Sequence, residues 1–212
     1  MLGTMGIRRR GGGGAVAVIE AVASNNSLSV VFGATPSNGE LIVLIAMVAN
    51  NNASTISGPG TFTNGPAYNQ GGQRPGAVFW KVASSEASAT YSCSASAGTV
   101  RVVGYRLSGA NASPIGGDGT QYDATTGTTI AASSAAIDMN AGSLAIAAFS
   151  AANSIAGFAA DNSFDNEILI PNSFMGTAYR LYPSADTAEN STATWTTTQT
   201  FRRGMLLEIL PA

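Results

Sequence analysis

Gly39-Glu40-Leu41-Ile42-Val43-Leu44-Ile45-Ala46-Met47-Val48-Ala49 is the stretch whose reading decides the fold. A paler copy, Gly142-Ser143-Leu144-Ala145-Ile146-Ala147-Ala148-Phe149-Ser150, returns later in the chain. Both runs open on a glycine and carry no charge beyond their first residues, the pattern of a strand buried on both faces between packed sheets. A buried helix is the competing reading of so short an apolar run.

The segments downstream of each copy also recur. Gly76-Ala77-Val78-Phe79 matches Gly176-Thr177-Ala178-Tyr179 at an offset of 100, and Ser88-Ala89-Thr90-Tyr91-Ser92 matches Thr192-Ala193-Thr194-Trp195-Thr196 at 104. Residues 102–110 lie over 204–212 at 102. A period this long excludes a solenoid or a propeller blade and predicts two half-domains that both contribute strands to one sandwich. Two separate small domains are the alternative, although no flexible linker divides the chain.

Strands are predicted at residues 16–20, 28–32, 76–82, 88–96 and 100–107, the last three reading as a meander. Residues 50–72 form a long loop region with a short strand at Thr61-Phe62, and residues 113–119 break the pattern before the second copy. The sequence therefore predicts an all-β protein: an antiparallel β-sandwich over residues 15–212, with pseudo-repeats at about 28–110 and 128–212. Residues 1–14 precede it as an extended arm. The arm, with Arg8-Arg9-Arg10 followed by Gly11-Gly12-Gly13-Gly14, cannot pack a core, and its three guanidiniums suit it to grip carboxylates of a neighbouring subunit.

Charged residues are only 10% of the chain, against roughly 25% in ordinary globular domains, so neutral polar groups carry the surface. That suits a subunit packed into a larger assembly, although a secreted module would look alike. The net charge is −2, and without the three arm arginines the rest of the chain stands at −5, a balance that argues against a nucleic-acid-binding body. Cys93 is the only cysteine, so no intrachain disulfide is open to it, and the chain has no histidine. No metal and no cofactor are expected. Glu20 and the glycines interrupt what would otherwise suggest a signal peptide, and no apolar run approaches the ~20 residues of a membrane span.

The same inventory removes most catalytic schemes. Without histidine there is no Ser-His-Asp or Cys-His arrangement. Lys81, the one lysine, is expected to point outward with its stem along the sheet. Asp161, Asp165 and Glu167, and Asp118 and Asp123, read as solvated acidic loops; paired carboxylates across a cleft, or a calcium loop, are the alternatives. The former cluster lacks the glycine and the spacing of a recognised calcium loop, and no glycine-rich phosphate cradle is present either. No enzyme activity is expected. A flat aromatic face beside hydroxyl-rich loops could hold a sugar, and the candidates are Phe62 and Tyr68 in the first long loop and Phe158, Phe164 and Phe174 in the second. Self-packing and subunit contact are the other readings of these rings. Trp80, Tyr91, Tyr179 and Trp195 sit on repeated strands and are read as core.

Gly39-Glu40-Leu41-Ile42-Val43, then Val78-Phe79-Trp80-Lys81-Val82-Ala83, then Tyr105-Arg106-Leu107-Ser108-Gly109 followed by Pro114-Ile115, resembles a β-sandwich module of tailed-bacteriophage virion proteins. Asn140-Ala141-Gly142-Ser143-Leu144 through Trp195 to Leu210-Pro211 is similar to the end of that module. The resemblance spans residues 28–212 and carries no catalytic residues to transfer. It implies a jelly-roll-like piece of a head, spike or tail fibre. The expectation is a structural virion protein, assembled in the host cytoplasm and exposed on the particle as an outward-facing head decoration or spike subunit. Its partners would be capsid or tail subunits met through the arm, and further copies of itself, a trimer among them. The alternative is a tail-fibre or tail-tip adhesin, lectin-like, holding host surface polysaccharide through residues 50–72 and 154–174.

Overall fold

The computed structural model describes residues 14–24, 27–49, 54–70, 73–161, 163–164, 166–170 and 173–212; Arg8, Arg9 and Arg10 of the arm, and Asp165, lie outside them. The first half carries β1 (Ala17–Ala23), β2 (Ser29–Val31), β3 (Leu41–Val48), β4 (Ile56–Ser57), β5 (Thr63–Gln70), β6 (Gln73–Val82), β7 (Thr90–Ser92), β8 (Ser94–Ala95) and β9 (Val100–Ser108). The second carries β10 (Ala110–Asp123), β11 (Gly127–Ala131), β12 (Ile137–Met139), β13 (Leu144–Ser150), β14 (Ala159–Ala160) and β15 (Asn166–Leu169). It ends with β16 (Met175–Leu181), β17 (Asp186–Glu189), β18 (Thr192–Gln199) and β19 (Arg202–Pro211). Every pairing is antiparallel, and the fold is an all-β sandwich.

Two five-stranded sheets form its centre, one in the order β1-β9-β3-β6-β5 and the other β10-β19-β13-β16-β15. The opening stretch becomes β3, a middle strand, and its copy becomes β13, in the same place in the other sheet. Alternation along β3 sends Leu41, Val43, Ile45 and Met47 into a core shared by the two sheets, and Ile42, Leu44, Ala46 and Val48 into a second core on the outer face. Along β13 Leu144, Ile146 and Ala148 enter the shared core, while Ala145, Ala147 and Phe149 enter a third. Small sheets close the outer cores, β2-β7 bringing Val30 and Tyr91 to one, and β11-β18-β14 bringing Ile130 and Trp195 to the other. Four layers over three cores explain why the two central strands need apolar residues at every position.

The equivalence runs down to single hydrogen bonds. Leu41 pairs with Val82 and Leu107, and Leu144 with Leu181 and Ile209. Before each strand a turn closes through Glu40 N–H to Ser37 O (3.1 Å) and Ser143 N–H to Asn140 O (3.1 Å). Within these turns Gly39 and Gly142 have φ of 87° and 81°, a conformation only glycine adopts without strain. This register equates Trp80, rather than Phe79, with Tyr179, one residue away from the match by sequence. The repeated order also reaches back to β1 and β10, edge strands whose apolar pattern is weak. Both carry a bulge at the same place, between Val18 and Glu20 and between Ile115 and Asp118.

Three sequence expectations change. Residues 76–107 do not form a meander: β6 and β9 both pair with β3, and β7 leaves to pair with β2. The physical reason is that β6 and β9 are buried along much of their length, whereas β7 offers only Tyr91 to a core. Residues 113–119, read as a break, lie within β10, whose bulges accommodate the glycines. The short strand at Thr61-Phe62 is instead the approach to β5, the edge strand in which Pro66 is tolerated.

Candidate functional site

The ionisable groups are mostly spent on holding the fold. Arg106, on β9, is 6% exposed and is gripped by Glu40 (Nη2 to Oε2, 2.9 Å), by Glu20 (Nη1 to Oε2, 3.1 Å) and by Ala34 O (3.1 Å). The pairing register puts Glu208 in the same place in the second half. Its carboxylate accepts from Asn140 N (2.6 Å), Asn140 Nδ2 (3.0 Å) and Gly117 N (3.1 Å). Arg202 reaches Asp123 (2.5 Å) and also donates to Thr129 O. Hydrogen bonds from the Thr125 hydroxyl and amide, with Arg202 beside them, hold the Asp123 carboxyl below its ordinary range. Lys81 does not stand free on the surface; it pairs with Glu86 at 2.6 Å, and Glu86 also accepts from Tyr91 (3.1 Å).

The described carboxylates of the second long loop, Asp161 and Glu167, are equally committed. Asp161 accepts from Thr192 N and Ser191 Oγ, and Glu167 from Ala160 N at 2.7 Å. Among the described residues no three metal-ligating side chains come together. Cys93 is buried, which pushes its thiol up to about 12 and leaves it no thiolate at neutral pH.

The loop aromatics read as sugar platforms are placed elsewhere. Tyr68, Phe158, Phe164 and Phe174 are all buried. Phe158 and Phe164 belong to the second outer core, Tyr68 and Phe174 to the shared one. Their faces are taken: the Arg203 guanidinium lies 5.3 Å from the Tyr68 ring and Arg101 lies 5.5 Å from the Phe174 ring. Arg101 and Arg203 occupy matching positions, and each reaches across to a ring of the other half. Phe62 is half-buried, edge-on to Tyr91 at 5.5 Å. These loops fold back because an aromatic ring gains more from a core than from water.

Openings remain at the two edges of the sandwich, where β5 faces β10 and β1 faces β15. The β5–β10 cleft, about 390 Å³, is lined by Thr63, Asn64, Trp80, Ser113, Ile115 and Asp118. The β1–β15 cleft, about 330 Å³, is lined by Val18, Glu20, Ala21, Asn166, Glu167 and Tyr179. They are the same place built twice: pairing register equates Trp80 with Tyr179, Ile115 with Val18, Thr63 with Asn166, Asn64 with Glu167 and Asp118 with Ala21.

Their polar groups differ in availability. In the β1–β15 cleft Glu20 is bound by Arg106 and Gly33 N, Glu167 by Ala160 N, and Asn166 donates to Tyr179 O. In the β5–β10 cleft the Asp118 carboxylate, the Asn64 amide, the Ser113 hydroxyl and the Trp80 indole N–H have no partner among the described residues. Sequence reasoning missed this group because Trp80 looked like core and Asp118 like a solvated loop. No signal in the sequence marks it, because β5 and β10 belong to different sheets and meet only when the sandwich closes. A larger hollow of about 460 Å³ beneath residues 56–62 is lined mainly by backbone, glycine and apolar side chains such as Phe62 and Phe79, and offers no charged group.

Comparison with protein-family models, with curated proteins and with solved structures finds no match to this chain.

Proposed function

We propose that the chain is a structural, non-enzymatic subunit of a tailed-phage particle, an outward-facing head decoration or spike held to its neighbours through residues 1–14. The observation that carries this reading is where the arm joins the body. Val16, two residues after the last arm glycine, is 1% exposed in the core shared by both sheets, and its N–H donates to Gly142 O at 2.8 Å. Ala15 lies against Gly109, the φ +70° link between the two halves, and against Gly142. A tether fixed there is anchored in the shared core beside the joint of the two halves. Three arginines on that tether, against a body at −5, favour contact with acidic groups of an adjacent subunit. Exposed Ile19 and Leu169, on the edge strands β1 and β15, add apolar surface for such a neighbour.

Co-sedimentation tests it. The full chain is expected to pellet with phage particles assembled without it, and a chain lacking residues 1–14 to stay in the supernatant. Equal pelleting of both overturns the docking role of the arm; pelleting of neither overturns the virion reading.

A further inference from the structure

We propose that the β5–β10 cleft binds a neutral pyranose, with Trp80 as the platform and Asp118 and Asn64 as the hydroxyl readers. A pyranose ring has an apolar face of C–H groups and a rim of hydroxyls. It is recognised by an aromatic surface beside a few unspent hydrogen-bonding groups. Trp80 is half-buried, its indole packed at the margin of the shared core and so held in place, and it lines the cleft together with Ile115. Asp118 and Asn64 are exposed at the mouth. A carboxylate accepts from two adjacent hydroxyls at once, while an amide both donates and accepts, the combination that reads a hydroxyl pair. At about 390 Å³ the cleft lies toward the small end of the roughly 300–1,000 Å³ of ligand pockets, the size for one or two sugar rings.

The second cleft supplies an internal control. The scaffold forms the same opening twice, and in the β1–β15 copy the carboxylates of Glu20 and Glu167 are consumed by Arg106 and by backbone amides. Among the described residues the β5–β10 copy keeps its acid, amide, hydroxyl and indole unspent. Among the described residues no cation lines it, and the Asp118 carboxylate stands at its mouth, so uronic and sialic acids are repelled and neutral or N-acetylated hexoses are favoured. One ring held this way binds weakly, with a Kd on the order of 1 mM, and several copies on one particle would convert that into avidity. Arm docking and sugar binding use different residues and can fail separately.

The test is a titration of the full chain with the methyl glycosides of glucose, galactose, mannose and N-acetylglucosamine, with methyl glucuronide as the acidic control. Saturation-transfer NMR and tryptophan fluorescence serve as the readouts. At least one neutral glycoside is expected to saturate, and the glucuronide not to bind. Asp118→Ala, at an exposed side chain without a partner among the described residues, keeps the fold and is expected to weaken binding by about ten-fold or more, the loss of charge-assisted hydrogen bonds. Glu167→Gln, in the second cleft, leaves it unchanged. Absence of saturation by every neutral glycoside, unchanged affinity in Asp118→Ala, loss of binding in Glu167→Gln, or glucuronide binding as tight as glucoside would each overturn the proposal.

Discussion

The two halves of the molecule solve one structural problem with opposite charges. On the second strand of each large sheet, opposite the edge-strand bulge, a long ionisable side chain is buried. In the first half it is Arg106, neutralised by Glu20 and Glu40. In the second it is Glu208, held by the backbone and side chain of Asn140 and by Gly117 N. The bulge position that carries Glu20 in one half carries glycine in the other, where a Cβ on Gly116 would stand 2.2 Å from the Glu208 carboxylate. What is preserved is satisfaction of a buried polar group at a fixed place, and not the sign of the charge.

This likeness can be broken in measurable ways. The largest effect is expected for Arg106→Met, which leaves Glu20 and Glu40 facing each other without their cation; about 3–5 kcal/mol of unfolding free energy should be lost in denaturant titration. Glu208→Gln keeps the shape but puts an NH2 where one oxygen accepts from a buried N–H, so about 1.5–3 kcal/mol is expected by the same measurement. A larger loss for Glu208→Gln than for Arg106→Met would show that the two networks are not equivalent in kind. Next come Gly39→Ala and Gly142→Ala, each forced to a φ near +80°; each should cost about 1–2 kcal/mol, and the two costs should agree. Neither added Cβ meets an atom closer than 3.5 Å, so a marked inequality would reveal packing differences around the turns.

The smallest effect expected is a difference of zero. Cys93 lies in the outer core of the first half and Trp195 in that of the second, so thiol labelling and Trp195 fluorescence report separately on the two. To leave Trp195 as the only indole, the fluorescence is read in a Trp80→Phe background. Because the shared core joins the sheets, and the buried Tyr105 hydroxyl meets Thr177 across it at 2.6 Å, both probes should give one coincident transition. Two separated transitions would make the halves independent folding units.

Much of the fold was legible in the sequence because burial on both faces demands apolar residues at every position. Few other structures write Leu41 to Val48 as an unbroken run. The repeat offsets were legible for the same reason, and the single-residue slip at Trp80 was not, since Phe79 and Trp80 are both aromatic and only the ladder decides which faces the shared core. Of the readings open for the loop rings, burial favours self-packing. Phe158, Phe164 and Phe174 are separated from their partners by long loops, and whether such a ring turns inward depends on space left by strands distant in sequence.

Alone, then, the sequence determined the all-β class and the two apolar central strands, because these arise from residue types and local periodicity. The tertiary structure decided which carboxylates are spent and which are free. Glu20 and Glu167 find donors brought from elsewhere in the chain, while Asp118 finds none among the described residues. Availability of a polar group is a property of its neighbours in space, and those neighbours come from strands that only folding places side by side.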